Sequence, residues 1–234
     1  MYKKNGEEVL DITTTATIRP SLFHQTLKSF TDKLFINQKD YRLILNVDPI
    51  GEDVDPIEVV KVGQQFFDNV VYNIPDKPNF AQACKWCWGQ TYSRFVFHLE
   101  DDWTMVRRIN IGEMLLLINN NNDMMYLRLP KLTLHMLKDS DYKNGFIKHH
   151  KILLNPAIFR GNFVREISKK MNIIDNPEKQ LRKVFKLNKD KIAGIYCGIG
   201  DGEYLKHHGR KWQRTSNYKK VKGSNFITWE KRDK

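Results

Sequence analysis

Over its first hundred residues the chain alternates two kinds of segment, and that alternation constrains its fold more than any other feature. A β-branched run at 9–15 predicts a strand. Pro20 then suits the first turn of a helix in which Leu22, Phe23, Thr26, Leu27 and Phe30 recur at helical spacing. Residues 41–47 predict a second, buried strand, ended by Asp48, Pro49, Ile50 and Gly51. The helical period returns over 57–67, a third strand follows at 69–73, and a helix at 79–89 leads into a fourth strand at 95–99. Such a β-α-β-α-β-α-β series packs as an α/β fold, a mostly parallel sheet with helices on both faces. Ligands of these sheets bind beyond the carboxyl ends of the strands. Thr13, Thr14, Thr15 and Arg19, then Asp48, then Glu100, Asp101 and Asp102 all follow strand ends, so they are expected along one edge.

The second half is less regular. It predicts a helix at 109–119, strands at 124–129 and 151–154, helices at 161–171 and 177–185, and a strand at 191–196. No internal repeat or interdomain linker interrupts the 234 residues, which read as one continuous domain. Cys84 and Cys87 form a lone C-x-x-C inside the 79–89 helix; two small residues on one helical face account for it better than half a zinc site. The first residues are polar and no apolar run approaches bilayer-spanning length, so a soluble, cytoplasmic protein is expected.

Charge divides the chain in two. Residues 1–102 carry 11 Lys/Arg against 15 Asp/Glu, whereas 103–234 carry 28 against 12. A basic half points to a polyanion: nucleic acid, a phosphorylated glycan or an anionic membrane surface. The plainer alternative is a lysine-rich surface that aids solubility. At the boundary stand Glu100, Asp101 and Asp102, three carboxylates closing an apolar strand. Like charges this close raise one another's pKa unless a cation neutralises them. Mg²⁺ or Mn²⁺ held by one or two carboxylates plus substrate phosphates is the natural partner, and a diphosphate leaving group needs such a Lewis acid. The alternative is a solvated acidic turn, against which the buried strand and the adjacent Trp103 argue.

Four segments in order carry a family resemblance: Ile12-Thr13-Thr14-Thr15 with Arg19-Pro20, Asn46-Val47-Asp48, Asn79-Phe80-Ala81-Gln82-Ala83, and Phe97-His98-Leu99-Glu100-Asp101-Asp102. Through them the chain resembles the nucleotide-sugar glycosyltransferases of the GT-A fold, family-2-like type. The last segment looks like their D-x-D motif in an E-D-D form. The likeness covers 9–103 well and the remainder loosely. It implies a Rossmann-like sheet and metal-dependent transfer from a UDP-sugar, with residues 1–103 binding the donor and 104–234 the acceptor. It implies further that Thr13, Thr14, Thr15, Arg19 and Asn79 border the nucleotide and that Asp48 meets its base or ribose. Asp102 would be the principal metal ligand, Asp101 would stand beside the sugar or metal, and Glu100 would turn toward the ribose.

An inverting transfer needs a general base, in this family usually a carboxylate at a helix start in the second half. Glu178 fits, with Asp175 in reserve, although a first-turn glutamate also simply complements a helix dipole. Related enzymes add a C-terminal histidine to the metal, a role open to His207 or His208, while Arg210 or Lys211 could grip phosphate. His149 and His150 read as a surface pair.

The tail interleaves aromatics with basic residues, including Trp212, Tyr218, Lys219, Lys220, Lys222, Trp229 and Lys231. Rings can stack on bases while lysines neutralise phosphates. Double-stranded DNA bearing a hydroxymethylated pyrimidine, as in phage DNA modification, is therefore the expected acceptor. A cell-envelope glycan or lipid-linked sugar is the runner-up. A non-enzymatic nucleic-acid-binding protein on a transferase scaffold is a third reading, which the intact acidic triplet disfavours. A nucleotidyltransferase lacks support, because no Gly-rich phosphate loop follows the first strand.

Overall fold

The computed structural model describes residues 3–4, 7–8, 10–35, 41–130, 145–149, 152–188, 190–197, 203–209, 212, 216–222 and 227–232. Two short strands, β1 (Lys3–Lys4) and β2 (Glu7–Glu8), pair with each other. The elements of the first half are β3 (Asp11–Ile18), α1 (Pro20–Lys33), β4 (Arg42–Gly51), α2 (Ile57–Phe66), β5 (Asn69–Asn73), α3 (Phe80–Gly89) and β6 (Phe95–Glu100). They are followed by β7 (Trp103–Met105), α4 (Ile111–Asn120), β8 (Met124–Arg128), β9 (Phe146–His149), β10 (Ala157–Arg160), α5 (Gly161–Lys170), α6 (Pro177–Leu187) and β11 (Ile192–Tyr196). Three strands finish the chain: β12 (Leu205–His207), β13 (Tyr218–Lys222) and β14 (Ile227–Lys231).

Eight strands form one sheet in the order β5-β4-β3-β6-β10-β8-β11-β9. The strands β5, β4, β3 and β6 are parallel, β10 is inserted antiparallel, β8 and β11 return to the first direction, and β9 opposes them. Helices α1, α2 and α4 bury Phe23, Leu27, Val59, Val60, Met114 and Ile118 on one face. Helices α3, α5 and α6 bury Cys84, Cys87, Trp88, Val164, Ile167 and Leu181 on the other. Both faces of the central strands are covered, which is why these strands read as apolar runs rather than alternating ones. All three cysteines are buried thiols.

Three differences from the expected elements have physical causes. Strand β3 runs to Ile18, three residues past its expected end, because its threonines are fully sheet-competent. Strand β4 passes through Pro49 to Gly51 instead of ending at Val47. Its register with β3 jumps from Thr17↔Asp48 to Ile18↔Gly51, so Pro49 and Ile50 are the extra residues of a bulge, where a missing N–H is tolerated. Gly51 closes the bulge with φ +142°, and a Cβ there would lie 2.2 Å from the Ile18 carbonyl oxygen.

The third difference is a correction: the strand expected at 151–154 does not form over the described residues 152–154. Side chains satisfy that backbone instead. Arg182 Nε donates to Ile152 O (3.1 Å), Tyr126 Oη donates to Leu153 O (2.5 Å), and Leu154 N donates to Glu178 Oε1 (2.9 Å). The strands of this region are β9 and β10.

Candidate active site

Strand register assembles the site. Thr15 lies opposite Glu100 and Thr17 opposite Asp48, so the carboxyl ends of β3, β4 and β6 are level. Just beyond that edge the chain turns at Asp101 and Asp102 before β7.

The two aspartates have different surroundings. Asp101 is buried, and Arg19 grips both its oxygens: Nε donates to Oδ2 (3.1 Å) and Nη2 contacts Oδ1. The Thr17 amide (2.9 Å) and hydroxyl (3.2 Å) also donate to Oδ2, and Thr26 Oγ1 on α1 holds the Asp101 carbonyl (2.7 Å). Burial pushes the Asp101 carboxyl above its usual range, the Arg19 guanidinium pulls it back, and Asp102 pushes it up again. This carboxylate is committed to the protein.

Asp102 instead faces the C-terminal segment. His207 Nε2 lies 3.3 Å from its Oδ1 and Arg19 Nη2 lies 3.6 Å from its Oδ2, while its carbonyl accepts from His208 N (2.8 Å). Glu100 accepts from Trp103 Nε1 (3.1 Å), and the Trp103 ring lies 4.5 Å from that of His207. The result is a group of two carboxylates and one imidazole, Glu100, Asp102 and His207, whose ligand atoms lie within 4.8 Å of one another. This O,O,N donor set suits a hard or borderline divalent ion that keeps other positions for phosphate oxygens and water.

The segment bearing His207 is fixed by pairing, since β12 lies antiparallel to β7 with His207 opposite Trp103. His208 is turned elsewhere, with Nε2 2.8 Å from Thr104 Oγ1. Gly209 presses on the acid, because a Cβ there would lie 2.2 Å from Asp102 Oδ2. Trp212 lies beneath the Arg19 guanidinium, 4.7 Å from carbon to ring centroid. Arg210 and Lys211 fall outside the described residues.

Asp48 lies near the same edge. It accepts from Asn46 Nδ2 (2.8 Å) and Asn79 N (3.1 Å), and burial pushes it up to about 7 against those hydrogen bonds, with Asp101 adding to the rise. The Asn79 side chain caps α3 through Gln82 N (3.0 Å) and donates to Ile173 O (3.1 Å), so it holds two parts of the fold together.

Among the other expected residues, Thr13 and Thr14 are wholly buried within β3, and Thr13 Oγ1 pairs with His98 Nδ1 (3.2 Å). Thr15 is nearly so. The longer strand moves the edge to Thr17 and Arg19. Glu178 holds Leu154 N (2.9 Å) and pairs with Arg182 (3.4 Å), while Asp175 Oδ2 accepts from Asn172 Nδ2 (2.8 Å). Among the described residues, no hydrogen bond or ion pair joins either to the acidic cluster. Thr17, Thr26, Thr104 and Gly209 escape sequence reasoning. Thr26, a polar residue on the buried stripe of α1, is the one whose pattern could have signalled it.

Solved structures share this architecture. Crystal structures of S. aureus TarS match with TM-scores of 0.56 for the longer chain and 0.52 for residues 1–349, at 11% and 12% identity. A third, TarS 1–349 in complex with UDP, matches at TM-score 0.54 and 12% identity. The fold is that of the GT-A glycosyltransferases. Each match covers 82% of this chain, which spans only 36% of the longer TarS chain and 59% of the shorter ones. No protein-family model and no curated protein matches the sequence. Among the described residues, no helix is long and apolar enough to cross a membrane.

Proposed function

We propose that the chain transfers a sugar from a UDP-sugar to a hydroxyl of a polyanionic acceptor, a hydroxymethylated pyrimidine in DNA. The observation that carries this reading is the Glu100, Asp102 and His207 group at the carboxyl edge of a GT-A sheet, close to the buried Asp48. The UDP bound by a structure of like fold supports the choice of donor, and the basic second half supports the choice of acceptor.

Mn²⁺ or Mg²⁺ held by Glu100, Asp102 and His207 would supply Lewis-acid stabilisation of the departing diphosphate. Asp48 offers its carboxylate to the base or ribose of the donor. Arg19 and Asp101 neutralise each other and keep the metal-facing side of Asp102 in place. The acceptor oxygen attacks the anomeric carbon with inversion, the carbon–oxygen bond to the diphosphate breaks with its electron pair, and a carboxylate takes the hydroxyl proton. We assign that proton to Asp175, whose Oδ1 has no partner among the described residues, rather than to Glu178, whose carboxylate is held by Leu154 N and Arg182.

The test is a hydrolysis screen of nucleotide sugars with Mn²⁺, with and without hydroxymethylated DNA. UDP-sugar turnover stimulated by the modified DNA and abolished by Asp102→Ala is expected. Turnover that survives both a chelator and Asp102→Ala would overturn the reading.

A further inference from the structure

The hairpin β13–β14 has two unlike faces. Directly opposed residues of an antiparallel pair share a face, and residues along each strand alternate. The register Tyr218↔Lys231, Lys220↔Trp229 and Lys222↔Ile227 therefore gives one face two aromatic and three lysine positions without an acid. The opposite face carries the pairs Lys219↔Glu230 and Val221↔Thr228, and there the lysine is neutralised, with Nζ 3.5 Å from Glu230.

The basic-aromatic face is continuous with the active site. Trp212 lies parallel to Tyr218 (17° between planes, centroids 6.3 Å apart) and edge-on to Trp229 (75°, 5.5 Å). The same Trp212 lies under Arg19, the residue clamped on Asp101 and 3.6 Å from Asp102. Trp212, Tyr218 and Trp229 are half-buried and Lys231 is exposed, so the rings keep accessible surface beside an exposed lysine.

We propose that this face is the track for an unpaired nucleic-acid strand, its bases stacking on Trp229 and Tyr218 while Lys231 on the same face meets its phosphates. Ring faces argue for unpaired bases, because a duplex hides the surfaces that aromatics stack on, whereas every unpaired base offers one. The absence of carboxylates from this face alone gives charge complementarity to a phosphodiester chain. Trp212 ends the track at Arg19, which would deliver an extruded nucleotide to the acidic centre. This placement rests on the nucleic-acid reading of the acceptor. A target base in a duplex would have to be unstacked before reaching it.

The test is fluorescence anisotropy of the full chain with a labelled oligodeoxythymidine, a labelled duplex, and inorganic polyphosphate as competitor. The single strand is expected to bind more tightly than the duplex. Trp229→Ala should weaken single-strand binding about tenfold, and Trp229→Phe should restore most of the loss. Lys231→Gln should reduce the logarithmic salt slope by about 0.7, the share of one phosphate contact.

Unchanged binding in Trp229→Ala, failure of Trp229→Phe to restore it, tighter binding of the duplex, or displacement by polyphosphate as effective as by the oligonucleotide would each overturn the track. UDP-sugar hydrolysis by the unmodified chain is measured in parallel. Hydrolysis without single-strand binding removes the track and leaves the donor reaction standing, and binding without hydrolysis does the reverse.

Discussion

Arg19 is buried with one carboxylate in its fork and a second 3.6 Å away. Removing one partner of such a pair strands the other charge. Arg19→Ala should therefore destabilise the fold by about 3–5 kcal/mol in urea unfolding. Asp48 makes a separate, pH-dependent contribution. Its folded-state pKa, about 7, lies above the ordinary 3.8, so between those values the folded chain holds protons that the unfolded chain has released. Stability from this group is fully present below the lower value and is lost as pH rises through the upper one. Asp101 is shifted in the same direction. Denaturation midpoints across this window should fall with rising pH, and Asp48→Asn should flatten the slope. Gly209 is constrained by space. Gly209→Ala would drive a methyl group into Asp102, so Mn²⁺ affinity measured by calorimetry should drop at least tenfold while secondary structure persists. The triplet Glu100, Asp101, Asp102 was legible as a metal-type cluster and the resemblance set Asp102 with a C-terminal histidine, yet the salt bridge that commits Asp101 to Arg19 was not legible. That commitment depends on Thr17 and Arg19, which are remote in sequence.

At the scale of elements, α6 shows how one side chain can serve a loop rather than a substrate. Glu178 stands in the first turn of α6 and accepts from Leu154 N, in a segment that lacks a neighbouring strand. Glu178→Ala should cost about 1–3 kcal/mol by leaving that amide unsatisfied, whereas Glu178→Gln, which keeps an acceptor, should cost less. Turnover by Glu178→Gln should stay close to that of the unaltered chain, and a collapse of turnover in a stable Glu178→Gln variant would return the general base to this residue. The elements of the first half were readable from periodicity because β3, β4 and β6 are mostly buried runs and each helix has a clear stripe. Residues 152–154 misled for the same reason: Ile152 and Leu154 are apolar and buried, but Arg182, Tyr126 and Glu178 satisfy their backbone. Periodicity reports burial, and burial does not require a ladder.

Across the whole molecule, a metal that binds only the folded chain should raise its stability by mass action, by about 2.7 kcal/mol at a hundredfold excess over Kd. Thermal unfolding with and without Mn²⁺ should show that gain, and Asp102→Ala should abolish it. The sheet's overall α/β character and its ligand edge followed from strand–helix alternation. The insertion of antiparallel β10 between β6 and β8 did not, because strand order depends on packing over long separations.

The pairing of β7 with β12 has a consequence for synthesis. Trp103 and His207 pair across 104 positions of chain, so the histidine of the acidic group leaves the ribosome long after the acids themselves. Until β12 emerges, a growing chain has its carboxylates but lacks the third member of the candidate group. Retention of a divalent ion is therefore expected only after residue 207 has emerged, and chains stopped before residue 205 should fail to retain it.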